Sequence, residues 1–131
     1  MVTRFGGASA LILATLITVS CGGVVDPSKN TVEPLMGMVS PGGNWCGQVT
    51  VNNGGEYSIK ITALSPTPTA VLLVGWFQNA GCVNTLLTNY ATLNTLAFSG
   101  PIYQKGTYSV GVADVGTLTV AQNFTITVSH P

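Results

Sequence analysis

An antiparallel β-sandwich is the fold class this sequence predicts, and three observations predict it. Between Gly106 and Gly116, Tyr108, Val110 and Val112 recur with period two, while Thr107, Ser109, Gly111 and Ala113 fill the other face. That is the pattern of a strand with one side on a core and the other carrying small or polar groups. Phe124, Ile126 and Val128 then alternate with Thr125, Thr127 and Ser129. Two such runs so near in sequence read as neighbouring antiparallel strands that end the domain. Upstream, Tyr57, Ile59 and Ile61 alternate with Ser58, Lys60 and Thr62 in the same way.

The totals bound what such a domain does. The chain has 131 residues, a length for one domain plus extras. Only 6% of residues are charged and the formal net charge is zero, so a nucleic-acid partner has no electrostatic support. Hydrophobic residues make up 46%, well above a disordered composition. The polar surface must therefore come from Thr, Asn, Ser, Gly and Gln, a composition common on secreted β-proteins. Low charge also leaves little repulsion against self-association.

Taken in order, the chain opens with an address. Residues 1–20 hold one basic residue, Arg4, an apolar run from Ala8 to Val19, and Ser20 before Cys21. The run is too short to span a bilayer comfortably and has the build of a secretory signal. Leu16-Ile17-Thr18-Val19-Ser20-Cys21-Gly22-Gly23 resembles the lipobox of bacterial lipoproteins, although Thr18 stands where that family prefers Leu. The resemblance implies cleavage before Cys21 and a lipid on its sulfur; an ordinary signal peptide with a chance cysteine is the plainer alternative. With Gly22 rather than Asp after the cysteine, the implied destination is the bacterial outer membrane or cell surface, with a secreted or periplasmic protein as alternative.

Residues 21–43 carry three prolines and five glycines without apolar periodicity, and are expected to be a lipid-anchored flexible linker. Leu35, Met36, Met38 and Val39 offer a first edge strand as the alternative. The domain is expected over 44–131. Val49 and Val51, the turn-forming Asn52-Asn53-Gly54-Gly55, and Tyr57 to Ile61 read as a hairpin with one wet face. Ala70 to Phe77 is apolar on both faces, which places it centrally. From 83 to 98, Val83, Leu86, Leu87, Tyr90 and Leu93 fall at helical spacing, yet the many Thr and Asn residues favour short strands and loops. About six to eight strands result.

With Cys21 assigned to lipid, Cys46 and Cys82 remain as one pair. An exported chain meets oxidising conditions, so a disulfide is expected. Two free thiols or a metal pair are the alternatives, and no CxxC or His cluster accompanies them.

Glu56-Tyr-Ser-Ile-Lys-Ile, Ala70-Val-Leu-Leu-Val, Gly106-Thr-Tyr-Ser-Val-Gly-Val and Asn123-Phe-Thr-Ile-Thr-Val together resemble the bacterial pre-peptidase C-terminal domain over about residues 48–128. That resemblance implies a jelly-roll-like sandwich and an appendage without catalytic residues of its own. No functional residue carries over from it.

Candidate chemistry is sparse, and no enzyme is expected. His130 is the one histidine and is expected as a solvated residue beyond the last strand. The acids are Asp26, Glu33, Glu56 and Asp114, at spacings that pair none of them for acid–base work. Asp114 at a strand end either caps its turn or helps bind calcium, and the cap is the commoner use. No catalytic residue, metal site or cofactor is assigned. Asn123-Phe-Thr125 fits a glycosylation sequon but lies within a strand. Trp45 and Tyr103, in segments flanked by Gly or Pro, are the candidate ligand-facing aromatics, whereas Trp76 belongs to the core. The sequence thus points to a non-catalytic cell-envelope lipoprotein that binds the membrane through Cys21. An unidentified envelope protein or a glycan would be its further partner, and an assembly subunit is a second alternative.

Overall fold

The computed structural model describes residues 27–131. The signal segment, Cys21 and the first part of the expected linker lie outside the described residues. A single 3₁₀ turn, Pro27–Lys29, leads into eight strands. These are β1 (Thr31–Val39), β2 (Asn44–Val51), β3 (Gly55–Ser65), β4 (Leu72–Phe77), β5 (Thr85–Ala91), β6 (Leu96–Ile102), β7 (Gly106–Asp114) and β8 (Gln122–His130). They form two four-stranded antiparallel sheets, ordered β1-β8-β3-β6 and β2-β7-β4-β5. Among the connections only β4–β5 stays within one sheet; every other one crosses the sandwich, giving the double Greek key of a jelly roll.

This topology corrects two expected pairings. Residues 49–51 and 57–61 are not a hairpin: β2 pairs with β7, and β3 pairs with β8 and β6. Nor are the two closing runs neighbours, since β7 and β8 lie in opposite sheets. Alternation reports which face of a strand is buried, not which strand it bonds to. Two strands facing each other across a core carry the same signal as two strands side by side.

The linker reading also yields at its C-terminal end. Thr31–Val39 is the edge strand that the apolar residues 35–39 allowed, paired along its whole length with β8. Val39 is fully buried, and Glu33, Leu35 and Gly37 share its inward face. Pro34 is accommodated because one side of an edge strand needs no ladder. The outward face of β1 carries Val32, Met36 and Met38, all exposed.

Between the sheets lie Tyr57, Ile59, Ile61, Phe124, Ile126 and Val128 from one side, and Val49, Val51, Leu72, Val74, Trp76, Tyr108, Val110 and Val112 from the other. Each large side chain fully withdrawn from water stabilises by roughly 1.5–3 kcal/mol. A β-bulge between Ile61 and Ala63 resets the alternation of β3, so that Leu64 rather than Ala63 turns inward. On the outer face of the same sheet, Thr62 Oγ1 and Thr127 Oγ1 hydrogen-bond at 2.8 Å. Hydroxyl pairs of this kind replace charge as the wet surface.

β4 is central in its sheet, and its outward face is covered too. Phe77 folds its ring back over Gly75, where a Cβ would come within 2.7 Å of Phe77 Cε2. The Cys46–Cys82 disulfide closes over this cluster, with Cα atoms 6.1 Å apart. Residues 85–91 and 96–102 are strands, as the Thr and Asn content favoured.

His130 departs from expectation. It is 1% exposed, held in the last position of β8 opposite Thr31. Its Nε2 lies 2.9 Å from Glu33 Oε1 and its Nδ1 3.1 Å from the Pro131 carbonyl. A chain end is loose when nothing pairs with it; here β8 has β1 on one flank and β3 on the other.

Candidate functional site

At one end of the sandwich the connections β2–β3, β4–β5 and β6–β7 come together over an aromatic stack. Tyr57 from β3 and Tyr108 from β7 lie on the two faces of Trp76 from β4. The ring centroids are 4.9 and 4.8 Å apart and the planes within 17° and 14° of parallel. Period-two alternation places all three inward, and each stacked pair adds about 0.5–1.5 kcal/mol beyond burial itself. Burial raises the Tyr57 phenol above the usual tyrosine range, with Tyr108 contributing, and burial likewise raises Tyr108. Both rings therefore stay neutral at ordinary pH.

The Tyr108 hydroxyl donates to the Gln104 carbonyl at 2.8 Å and so ties the β6–β7 connection to the stack. Next to Gln104, Tyr103 is 86% exposed. The Gln104 side chain meets that of Gln78, which follows β4. A cleft of about 300 Å³ opens here, with Tyr57, Trp76 and Tyr108 behind it and Tyr103, Gln78, Gln104 and Leu87 around it. A second, more open groove of about 630 Å³ shares Tyr103 and Gln104 with the cleft and is completed by Asn52, Asn53, Gly54 and Lys105.

The wall carrying Gln78 is pinned from behind. Ser109, fully buried on the outer side of β7, donates to the Asn79 carbonyl at 2.7 Å and accepts the Cys82 N–H at 3.0 Å. Together with the disulfide to Cys46, these bonds fix the β4–β5 connection against its own sheet.

The two aromatic candidates part company. Tyr103 stands in solvent, whereas Trp45 does not present itself as a platform. Its alternation on β2 turns it inward, half-buried, against the core. It packs edge-on to Phe124 at 5.1 Å and 82°, and its indole occupies the space over Gly37, where a Cβ would fall 2.6 Å from Trp45 Nε1. Flanking glycines at 43 and 47 suggested a loop; Gly47 instead makes room for the ring, since a Cβ there would run into Trp45 Cη2. Trp76 is 2% exposed and belongs to the core. Gln78 and Gln104 escaped the sequence reading because a glutamine carries no periodic signal, although Gln104 adjoins the singled-out Tyr103.

Asp114 is a cap. Its Oδ1 accepts the N–H groups of Gly116, Thr117 and Leu118, and its Oδ2 that of Gly42 at 2.8 Å. The Gly42 bond, followed by the three turn bonds, holds the carboxyl below the usual aspartate range. Four converging donors suit an anion, not a cation. Among the described residues no group of three or more His, Cys, Asp or Glu side chains gathers in a metal-holding arrangement. The His130 ring nitrogens face Glu33 and the Pro131 carbonyl rather than a nucleophile.

Neither a protein-family model nor a curated protein matches this chain.

Proposed function

We propose that this chain is a non-catalytic binding module of the bacterial cell envelope, exported and anchored by lipid on Cys21, whose ligand-facing surface is the end that carries Tyr103. One observation carries the placement of that surface: an aromatic ring 86% in solvent stands at the junction of two depressions, above a rigid stack of three rings. A large exposed ring on an otherwise polar surface is a characteristic anchor for recognition. The Ser20-Cys21 lipobox pattern supports the anchor, and the Cys46–Cys82 disulfide supports an oxidising compartment. The resemblance to the pre-peptidase C-terminal domain supports a domain without catalytic residues of its own.

The test is fractionation and capture from mildly crosslinked cells. Tagged wild-type protein is expected in the membrane fraction, and Cys21→Ser is expected in the soluble one. Protein or glycan recovered with the wild type should be lost with Tyr103→Ala. Unchanged sedimentation of Cys21→Ser would remove the anchor, and identical recovery with Tyr103→Ala would remove the binding surface.

A further inference from the structure

We infer that the ligand of the Tyr103 end is a neutral oligosaccharide of at least two sugar units, lying across the ring from the cleft into the open groove; this rests on the reading of that end as a binding surface. Three features carry the inference.

The first is the ring. A pyranose has an apolar face of C–H bonds rimmed by hydroxyls, and an exposed phenol offers a matching flat face with a polar tip. Tyr103 is the most exposed large hydrophobic side chain among the described residues, at 86%. A ring that served the core would not stand so far out.

The second is the company it keeps. Gln78 and Gln104 edge the cleft, and Asn52, Asn53 and again Gln104 edge the groove. A carboxamide presents both donors and an acceptor, which matches a hydroxyl that both gives and takes. Neither depression has an Asp or Glu in its lining, and Lys105 is the one charged side chain in either. Such a surface has nothing to pair with a cationic ligand and a single cation for an acidic one, so a neutral polymer fits best.

The third is the layout. The cleft, at about 300 Å³, and the groove, at about 630 Å³, share Tyr103 and Gln104 in their linings and so meet at that ring. Each falls in the size range of a small-molecule site. A ligand that fills both must cross the ring, which calls for a chain rather than a single sugar. The Tyr108–Gln104 bond and the pinned Gln78 wall hold the cleft and the shared Gln104 in place before the ligand arrives, which lowers the ordering cost of binding there.

The full chain, purified in detergent, is applied to an array of neutral and acidic glycans from one to six units, and the best-retained chain is then titrated calorimetrically. Retention of neutral chains of two or more units is expected, with little retention of the matching monosaccharides. Tyr103→Ala should weaken the titrated affinity by about tenfold or more, the effect of a stacking anchor. Gln104→Ala and Asn53→Ala should each weaken it severalfold, and Tyr90→Ala, an exposed ring on β5, should leave it unchanged. Thermal melting checks that Tyr103→Ala, a surface change, keeps the fold. Retention of acidic glycans alone, of monosaccharides alone, or of none would overturn the inference. A silent array alongside Tyr103-dependent capture of a protein from cells would overturn the sugar and leave the binding surface standing. Indifference to Tyr103→Ala in both experiments would overturn the two together.

Discussion

Asp114 shows how one side chain fixes two separated segments. Its carboxylate closes the turn after β7 through Gly116, Thr117 and Leu118, and reaches across to the β1–β2 turn at Gly42. Because these bonds lower its pKa in the folded chain, the sign of its pH effect is determined. The stabilisation is present above the unfolded aspartate value of about 3.9 and is lost as pH falls through the lower folded value. Asp114→Ala is therefore expected to melt below the wild type at pH 7 and to converge on it toward pH 2. Parallel melting curves across that range would contradict the assignment. Of the residue-scale features, the cap was legible in the sequence because Asp before Val-Gly at a strand end has a known use. The burial of His130 was not. Nothing in the last residues announces that β1 will return to flank them, so a terminal histidine reads as solvated until the Thr31–His130 pairing is seen.

At the scale of elements, the β4–β5 connection depends on its staple. Cys46 and Cys82 are 36 residues apart, and a crosslink over such a loop contributes about 3–4 kcal/mol in the chain-entropy model. Replacing both by Ser should lower the urea-unfolding free energy by that amount and, through the freed Gln78 wall, weaken binding at the Tyr103 end. An unchanged midpoint would show that Ser109 and the Phe77 packing suffice. Strand existence was legible wherever alternation was clean, as in β3, β7 and β8. It was obscured in β1, where Pro34 and Gly37 lie inside the strand and mimic a linker. Pairing was less legible than existence. Asn52-Asn53-Gly54 suits a tight hairpin turn by composition, yet it serves here as a corner between sheets, because the inward residues of β2 and β3 meet across the core.

For the whole molecule, crossing connections decide which segments the candidate site is built from. Seven connections alternate between the two ends of the sandwich, so three of them, β2–β3, β4–β5 and β6–β7, assemble at one end from distant parts of the sequence. The candidate site is built from all three, which is why sequence reading found Tyr103 but not the amides around it. Its rigidity comes from the core: Tyr57, Trp76 and Tyr108 belong to both sheets and stop where the cleft begins. With a mostly uncharged surface, the proposed recognition would rest on ring faces and amides rather than on charge.

The most direct test of this account is amide hydrogen exchange of the full chain with and without the material it captures from the envelope. New protection is expected at residues 52–54, 77–79 and 102–106, with the outer faces of both sheets unchanged. Protection concentrated on β1, or spread without preference for the Tyr103 end, would contradict it.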